Sequence, residues 1–271
     1  MKTALSIAGS DCSGGAGIQA DIKTMTAHGV FAMSAITALT AQNTMGIFSV
    51  SEISPSFLKS QIDAIFEDIF PDAVKIGMVP SAQLVEIIAD RLSFYKAKNI
   101  VIDPVMASTS GLSLTKENAL AAMKRRLFPI ATLITPNIPE AEALSNCPIR
   151  CREDMAKAAE MIGKAHGCAV LCKGGHLLDS ADDLLYANET GVWFSESKIS
   201  NPNTHGTGCT LSSAIASNLA KGFSLSESVN LAKAYMSASL THMLNLGKGC
   251  GPLNHTFDLN SRFAKEIESM P

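Results

Sequence analysis

A glycine-rich segment that leads into a helical pattern carries the residues best suited to chemistry. It has the sequence NTHGTGCT at positions 203–210, where Gly206 and Gly208 let the backbone turn freely and lie close to a ligand. The spacing after it, ending at Lys221-Gly222, predicts a helix with one buried face. The residues that define this face are Leu211, Ala214, Ile215, Asn218 and Leu219. The first turn of a helix has unpaired N–H groups and a partial positive charge, so it is a ready phosphate site.

Cys209 belongs to the same turn, where the pKa of a thiol is expected to fall below its free value of about 8.5. An anion site next to a polarisable proton acceptor indicates phosphoryl transfer. Two simpler interpretations remain open on this segment alone. A Gly-x-Gly before a helix is common, and a buried cysteine is usually only a small apolar residue.

The composition excludes several classes of protein. The chain has 271 residues, 46% of them hydrophobic and 17% charged, which is typical of a compact globular protein and excludes disorder. Its formal charge of −3 comes without a basic run, so we expect neither nucleic acid nor a membrane surface as a partner. The first apolar run is too brief for a signal peptide, and no run reaches the roughly 18 residues of a membrane span. We therefore expect a cytoplasmic protein.

The seven cysteines are an odd number and do not suggest a disulfide framework. Cys147/Cys151 and Cys168/Cys172 look superficially like zinc ligands. However, residues 168–172 have a strand pattern, in which residues four apart lie about 13 Å from each other. One zinc ion, with bonds to sulfur of about 2.3 Å, cannot join them.

Strand and helix patterns alternate along the chain. Strands are predicted over 4–8, 34–41, 73–76, 99–103, 133–135 and 169–172, with a hairpin or edge piece over 191–199. Helices are predicted over 18–27, 55–66, 82–97, 116–127, 155–166 and 226–246, besides the one after Cys209. This order predicts a single α/β domain over 1–271, with a mainly parallel central sheet flanked by helices on both faces. Ligands of such sheets bind beyond the carboxyl ends of the strands. The polar residues expected to converge there are Ser10, Asp11, Gln42, Asn43, Asp103, Asn137, Glu140 and Lys173.

A second glycine-rich segment, at 8–21, lacks the pattern of a P-loop or of a dinucleotide fingerprint, and alone it could be a tight turn. Its meaning comes from the motifs that accompany it. They are AGSDCSGGAGIQADIKT (8–24), ITALTAQNT (36–44), KIGM (75–78), IDPVM (102–106), LITPNIPEAEAL (133–144), CKGGH (172–176), NTHGTGCTLSSAIA (203–216) and GKGCGPLNH (247–255). With these motifs, nearly the whole chain resembles the hydroxymethylpyrimidine and phosphomethylpyrimidine kinases of thiamine biosynthesis, in the ribokinase-like superfamily.

The resemblance implies an ATP-dependent phosphotransferase. Such kinases phosphorylate 4-amino-5-hydroxymethyl-2-methylpyrimidine and then its monophosphate, which gives the pyrophosphate. The expected ligands are the pyrimidine, ATP as co-substrate and Mg²⁺, and a homodimer is common among similar kinases. Cys209 matches the cysteine of the pyrimidine kinases, where most relatives in the superfamily carry an aspartate. It would accept the proton of the hydroxymethyl group, while N–H groups of Gly206, Thr207 and Gly208 join it in stabilising the transferred group.

The same resemblance assigns the substrate pocket. Gln42 would recognise the pyrimidine, because its amide offers both a donor and an acceptor to a ring nitrogen beside an amine. Four further residues would join it: Gly9, Asp21, Met78 and Val105. Met78 and Val105 could equally be core residues, and Asp21 could serve the dipole of its helix.

On the nucleotide side, Asp103 and Glu140 resemble metal-binding residues, and Asn137, Glu140 and Lys173 resemble ATP-binding ones. Simpler alternatives are a turn cap for Asn137, a first-turn carboxylate for Glu140 and a solvated loop lysine for Lys173. Lys233 would approach the second phosphate. His205 is expected to be structural, and the segment 105–115 to be a flap over the substrate.

Three other functions compete with this interpretation. Pyridoxal kinase is the nearest, and Cys209 and Gln42 argue against it as the main activity while leaving a side activity open. A pyrimidine-binding protein without turnover is disfavoured by the presence of Asp103, Glu140, Lys173 and Cys209. A thiol-redox or zinc protein is disfavoured by the cysteine spacing.

Overall fold

The computed structural model describes residues 1–106, 116–175, 181–196 and 199–261. Within these ranges nine strands form one sheet. They are β1 (Thr3–Asp11), β2 (Phe31–Asn43), β3 (Gly46–Glu52), β4 (Ala73–Ile76), β5 (Ile100–Ile102), β6 (Leu133–Ile134), β7 (Ala169–Cys172), β8 (Asp183–Ala187) and β9 (Thr190–Phe194). Their order across the sheet is β3-β2-β1-β4-β5-β6-β7-β8-β9. The pairs from β2 to β7 are parallel, and β3, β8 and β9 add antiparallel edges, which confirms the mainly parallel sheet.

Helices cover both faces of the sheet. They are α1 (Gly17–Ala27), α2 (Pro55–Asp68), α3 (Ala82–Phe94), α4 (Glu117–Ala122), α5 (Ile138–Ser145), α6 (Arg152–His166), α7 (Thr207–Lys221) and α8 (Leu225–Thr241). α4 continues as a π-helical turn, Met123–Leu127, and a 3₁₀ turn, Phe128–Ile130. One apolar core joins the sheet to α2–α6, and another joins it to α7 and α8. None of the helices in the described part of the chain is long and apolar enough to cross a membrane.

The central strands are buried on both sides, as a covered parallel sheet requires. Every residue of β4, β5 and β6 is buried. Lys75 is the one charged side chain in these three strands, and its environment belongs to the site described below.

α7 differs from its expected single buried face. Every residue from Thr210 to Ala220 is buried. α7 packs against β1, β4 and β5 on one side and against α1 and α8 on the others, so little of its surface reaches water. The helix that carries the glycine-rich turn is therefore held from all sides.

Several element bounds differ from the sequence patterns. β2 runs longer than 34–41, and the strand β3 beside it was not predicted, because most of its residues are exposed and no buried alternation marks it. The predicted hairpin starts earlier, with β8, and α5 was missed. The last long helix ends at Thr241 rather than 246. That residues 1–271 form a single domain stays a proposal.

Candidate active site

A cavity of about 780 Å³ opens beyond the carboxyl ends of the parallel strands. This is the edge where ligands of open α/β sheets bind. Twelve of the residues singled out from the sequence line it: Gly9, Gln42, Met78, Asp103, Val105, Asn137, Glu140, Lys173, Gly206, Thr207, Gly208 and Cys209. Asp21 does not line it. The flap expected at 105–115 lies mostly outside the described residues.

The glycine-rich turn forms one wall of the cavity, where α7 begins. Gly206 has a left-handed backbone with φ of 86°, which favours glycine. Thr210 N–H donates to the Gly206 carbonyl at 2.9 Å, which starts the helical ladder. Thr207 N–H donates to the Thr204 carbonyl at 3.3 Å, so it already has a partner inside the loop. A Cβ on Gly208 would lie 2.9 Å from Asp103 Oδ2, so this turn directly adjoins the charged groups beyond β5.

The thiol of Cys209 is less acidic than the sequence indicated. Burial raises the pKa of Cys209 to about 11, and the nearby Lys75 ammonium offsets this only in part. The expectation of a pKa below 8.5 is therefore wrong. The helix terminus favours the thiolate, but the loss of water around the sulfur outweighs it.

A buried ion pair beneath this turn explains where Asp21 lies. Lys75 Nζ contacts Oδ1 and Oδ2 of Asp21, both at 2.8 Å, and neither side chain is exposed. Ser6 donates to Oδ2 of Asp21 at 2.5 Å, and Ser213 donates to Oδ1 at 2.7 Å. All of these carboxylate contacts are internal, so the expectation that Asp21 touches the substrate is not met. Its attraction raises the pKa of Lys75 even though burial disfavours the ammonium.

Sequence reasoning missed Lys75, although a signal was present. A lysine inside the apolar strand AVKI must be paired, because lysine is almost never fully buried alone. In the β1/β4 register Ser6 is opposite Lys75, so these two residues reach Asp21 together.

A second charged group faces the cavity. Lys173 Nζ contacts Asp103 Oδ1 at 2.8 Å, and Thr135 donates to the same oxygen at 3.2 Å. Burial raises the pKa of Glu140 to about 7; the Lys173 ammonium opposes this rise and the Asp103 carboxylate adds to it. These side chains follow β5, β6 and β7, so neighbouring strand ends bring them together.

Asn137 and Glu140 also serve the local fold. Asn137 caps α5: its side chain accepts the Glu140 N–H at 2.9 Å, and Glu140 Oε2 accepts the Asn137 N–H at 2.9 Å. The cap considered from the sequence is thus present, and both residues line the cavity as well. Among the described residues, no group of three His, Cys, Asp or Glu side chains is arranged to hold a metal ion.

The other end of the cavity joins three polar side chains from distant segments. His205 Nε2 lies 2.9 Å from Asp11 Oδ2 and 3.2 Å from the side-chain nitrogen of Gln42. Asp11 is buried, which opposes its ionisation, but hydrogen bonds from His205, Ser13 and Ala16 outweigh burial and hold its pKa at about 2. Asp11 was expected near the site without an assigned role, and its contact with His205 could not be read from positions 194 residues apart.

Met78 lines the same end and is packed tightly. A Cβ on Gly9 would lie 2.5 Å from Met78 Cε, and Thr37 donates to the Met78 carbonyl at 2.7 Å. Lys233 also lines the cavity, but its ammonium is engaged by Asp183 Oδ2 at 2.6 Å and by the Ala181 carbonyl at 3.0 Å.

Comparison with known proteins agrees with this arrangement. The family model of phosphomethylpyrimidine kinase matches residues 11–254. A hydroxymethylpyrimidine/phosphomethylpyrimidine kinase of Rhizobium meliloti is 47% identical over 256 residues, covering 93% of this chain and 96% of that protein. A bifunctional thiamine biosynthesis protein of Geobacter sulfurreducens is 46% identical over 253 residues, 93% of this chain, but the match spans only 51% of that longer protein.

Solved structures give the same result. A phosphomethylpyrimidine kinase from Clostridium difficile 630 is 46% identical with a TM-score of 0.79, covering 88% of this chain and 98% of that one. A pyridoxal kinase of Bacillus subtilis, solved with ADP, is 36% identical with a TM-score of 0.87, covering 94% and 98%. The sequence comparison and the structure comparison therefore lead to the same kind of kinase, and the chain belongs to the phosphomethylpyrimidine kinase family.

Proposed function

We propose that this chain transfers the γ-phosphoryl group of ATP to 4-amino-5-hydroxymethyl-2-methylpyrimidine, and then adds a second phosphoryl group to the monophosphate. The product is the pyrophosphate used in thiamine biosynthesis. The observation that carries this proposal is one cavity lined by three groups: Gln42 and Met78 at one end, the first turn of α7, and Lys173 with its carboxylates. The cytoplasmic location expected from the sequence also stays part of the proposal.

The ring would bind between Met78 and Gln42. Met78 and Val105 offer apolar contact, and the missing side chain of Gly9 leaves room for Met78 at this end. The Gln42 amide would hydrogen-bond the ring nitrogen and the amine beside it. This arrangement would point the hydroxymethyl group towards Cys209.

The nucleotide phosphates would bind between the first turn of α7 and Lys173. Lys173 is held by a single carboxylate in a cavity wall, so it can contact a phosphate oxygen when ATP binds. Backbone N–H groups of Gly208 and Cys209 would stabilise the charge that spreads over the transferred group, and one such donor contributes roughly 2.7–4 kcal/mol.

Asp103 and Glu140 would hold Mg²⁺ together with phosphate oxygens and water. Two carboxylates are a fitting protein contribution, because Mg²⁺ keeps several waters and is bound through one or two carboxylates and the phosphates. The ion supplies neutralisation of the phosphate charge. Glu140 must be deprotonated for this role, and its pKa of about 7 allows that at neutral pH.

Cys209 would accept the hydroxymethyl proton in the first transfer. With a pKa of about 11, its thiolate is a minor form at neutral pH, on the order of one molecule in ten thousand. Such a base is strong but scarce. The second transfer starts from a phosphate oxygen, which needs little or no deprotonation, so Cys209 matters less there.

Removing the thiol tests this division of labour. We expect Cys209→Ala to slow the first phosphorylation about 10²-fold or more and the second much less, since general base catalysis contributes roughly 10²–10⁴-fold. Single-turnover formation of the mono- and diphosphate measures each step. Cys147→Ala, at a half-buried cysteine outside the cavity, is the matched control. Equal losses in both steps would exclude a role for Cys209 as the base.

The activity itself is tested by an ATP- and Mg²⁺-dependent assay with the hydroxymethylpyrimidine, run in parallel with pyridoxal. We expect the monophosphate and then the diphosphate to accumulate, with pyridoxal turned over poorly. Pyridoxal is the second candidate because a pyridoxal kinase has the same fold at a TM-score of 0.87. If pyridoxal is the better substrate, the pyrimidine assignment fails.

A homodimer is also proposed. The edge strand β3, its neighbour β2 and the turn between them expose apolar side chains to water, namely Leu39, Met45, Phe48 and Val50. An exposed edge strand with large apolar side chains favours pairing with another chain. Light scattering should give twice the mass of one chain, and Phe48→Asp should give the monomer. A monomeric wild type would contradict this assembly.

A further inference from the structure

The polar cluster at the ring end of the cavity contains more hydrogen-bonding groups than ring recognition alone requires. Asp11 ends β1, His205 lies in the glycine-rich loop before α7, and Gln42 lies near the end of β2. Asp11 and His205 are both buried, and His205 Nε2 is within 3.2 Å of both partners.

The carboxylate decides which hydrogen His205 carries. Asp11 accepts N–H bonds from Ser13, Gly15 and Ala16 besides its contact with His205, as expected for an ionised carboxylate. An ionised carboxylate is only an acceptor, so His205 Nε2 must carry a hydrogen and donate it.

That hydrogen in turn decides how the Gln42 amide faces its neighbours. The oxygen and nitrogen of an amide have nearly the same shape, so the hydrogen-bond network assigns them. With the nitrogen towards His205, two donors would oppose each other at 3.2 Å. With the oxygen there, it is a second, longer acceptor that shares the Nε2 hydrogen with Asp11.

The other side of the amide leads to the same orientation. The hydroxyl of Thr40 lies 3.0 Å from the Ser10 carbonyl and 3.1 Å from the second amide atom of Gln42. A hydroxyl has one hydrogen, which Ser10 takes, so Thr40 is free to accept a hydrogen bond from an amide N–H. Both neighbours are satisfied only when the oxygen faces His205 and the nitrogen faces Thr40.

We infer that Asp11 and His205 are positioning residues that lock the Gln42 amide in one orientation and so make the pocket specific for a ring with an acceptor nitrogen beside an amine. This inference rests on the proposed function, in which Gln42 contacts the ring. After its two protein contacts, the amide keeps one acceptor position on oxygen and one N–H on nitrogen. A 4-aminopyrimidine edge offers the complementary donor and acceptor in a fixed order. A 4-oxo ring offers them in the reverse order and should be rejected.

The test compares the 4-amino substrate with its 4-oxo analogue, 5-hydroxymethyl-2-methylpyrimidin-4-one. In His205→Phe the aromatic shape remains but the hydrogen-bond donor is lost, so the Gln42 side-chain amide can rotate by about 180° and exchange the places of its oxygen and nitrogen. We expect the ratio of kcat/KM for the two rings to fall about tenfold or more, mainly through a higher KM for the amino ring; tenfold corresponds to about 1.4 kcal/mol. His166→Phe, outside the cavity, is the matched control.

A double variant shows whether His205 acts through Gln42. Gln42→Leu should itself abolish the preference, and adding His205→Phe should then change the ratio no further. If Gln42→Leu abolishes the preference but His205→Phe preserves it, or if the two effects add, the positioning role is overturned while Gln42 keeps its proposed role. If Gln42→Leu leaves the preference intact, the proposed ring contact fails, and the positioning role fails with it.

A spectroscopic signature separates positioning from a merely structural role. In ¹⁵N-labelled wild-type protein, the His205 ring should show a protonated Nε2 with a direct N–H coupling. A ring with a bare Nε2 would overturn the inference whatever the kinetics show.

Discussion

Two lysine–aspartate pairs lie near the first turn of α7, and they differ in exposure rather than in distance. The Lys75–Asp21 and Lys173–Asp103 contacts are both 2.8 Å long. The side chains of the first pair are 0% exposed, whereas those of Lys173 and Asp103 are 15% and 4% exposed. Cys209 interacts electrostatically with Lys75, Asp21 and Asp103, so its sulfur is influenced by both pairs.

The difference in exposure indicates that the two ion pairs have different roles. Asp21 is also bound by Ser6 and Ser213, so the charge of Lys75 is satisfied entirely inside the protein. Lys173 borders the cavity beside Gly208, where a phosphate can replace its carboxylate partner. We infer that the enclosed pair fixes the structure beneath the turn and that the cavity-facing pair acts on the nucleotide.

The largest expected effect comes from breaking the enclosed pair. Lys75→Met leaves the Asp21 carboxylate buried without its cation, and we expect a loss of about 3–5 kcal/mol in the free energy of unfolding, measured in urea. Lys2→Met removes a surface pair of equal length, Lys2–Asp72 at 2.8 Å, and should cost about 0–1 kcal/mol.

A second change separates charge from packing in that experiment. Adding Asp21→Leu to Lys75→Met should recover much of the lost stability, because no charge is then left buried. If Lys75→Met is as mild as Lys2→Met, the enclosed pair does not stabilise the fold in the way described.

Breaking the cavity-facing pair should affect catalysis instead. Lys173→Met is expected to lower kcat/KM about 10²–10³-fold for both phosphorylations, because a cation at the transferring phosphates is lost. The free energy of unfolding should fall by less than in Lys75→Met, since Asp103 lines the cavity and keeps its hydrogen bond from Thr135. Lys164→Met, on the exposed surface of α6, is the control. A large loss of stability with normal kinetics would reverse the roles of the two pairs.

A smaller effect concerns Cys209, which both pairs influence. Below its pKa of about 11, the thiolate fraction of Cys209 rises tenfold with each unit of pH increase. The first phosphorylation should therefore speed up about tenfold per unit from pH 7 to 9. In Cys209→Asp the carboxylate has a much lower intrinsic pKa than a thiol, so from pH 7 to 9 the same step should depend far less on pH, even though burial raises its pKa. A flat wild-type profile would show that the sulfur is not the base.

The sequence predicted the parts of the site that depend on local pattern. The turn at Gly206–Cys209 and the helix after it follow from glycine spacing and helical periodicity, and both are present. The residues after β5, β6 and β7 converge because strand ends in a parallel sheet share an edge, which the alternation of strands and helices already implies.

The contacts that depend on register and long-range packing could not be predicted in this way. Asp21 was assigned to the pocket by its position in the family motif, but Lys75, the partner that draws this α1 residue inward, comes from β4. The raised pKa of Cys209 depends on how completely α7 is enclosed, which periodicity does not reveal. The cluster of Asp11, Gln42 and His205 joins the ends of two strands and one loop, which only the folded chain brings together.

The most direct test of the difference between the two pairs is a crystal structure of the chain with Mg²⁺, AMP-PCP and the hydroxymethylpyrimidine. We predict that Lys173 Nζ lies within hydrogen-bond distance of a phosphate oxygen, while Lys75 Nζ keeps both contacts with Asp21. A Lys173 that still contacts only Asp103, or a Lys75 that has left Asp21 for the ligand, would contradict the account.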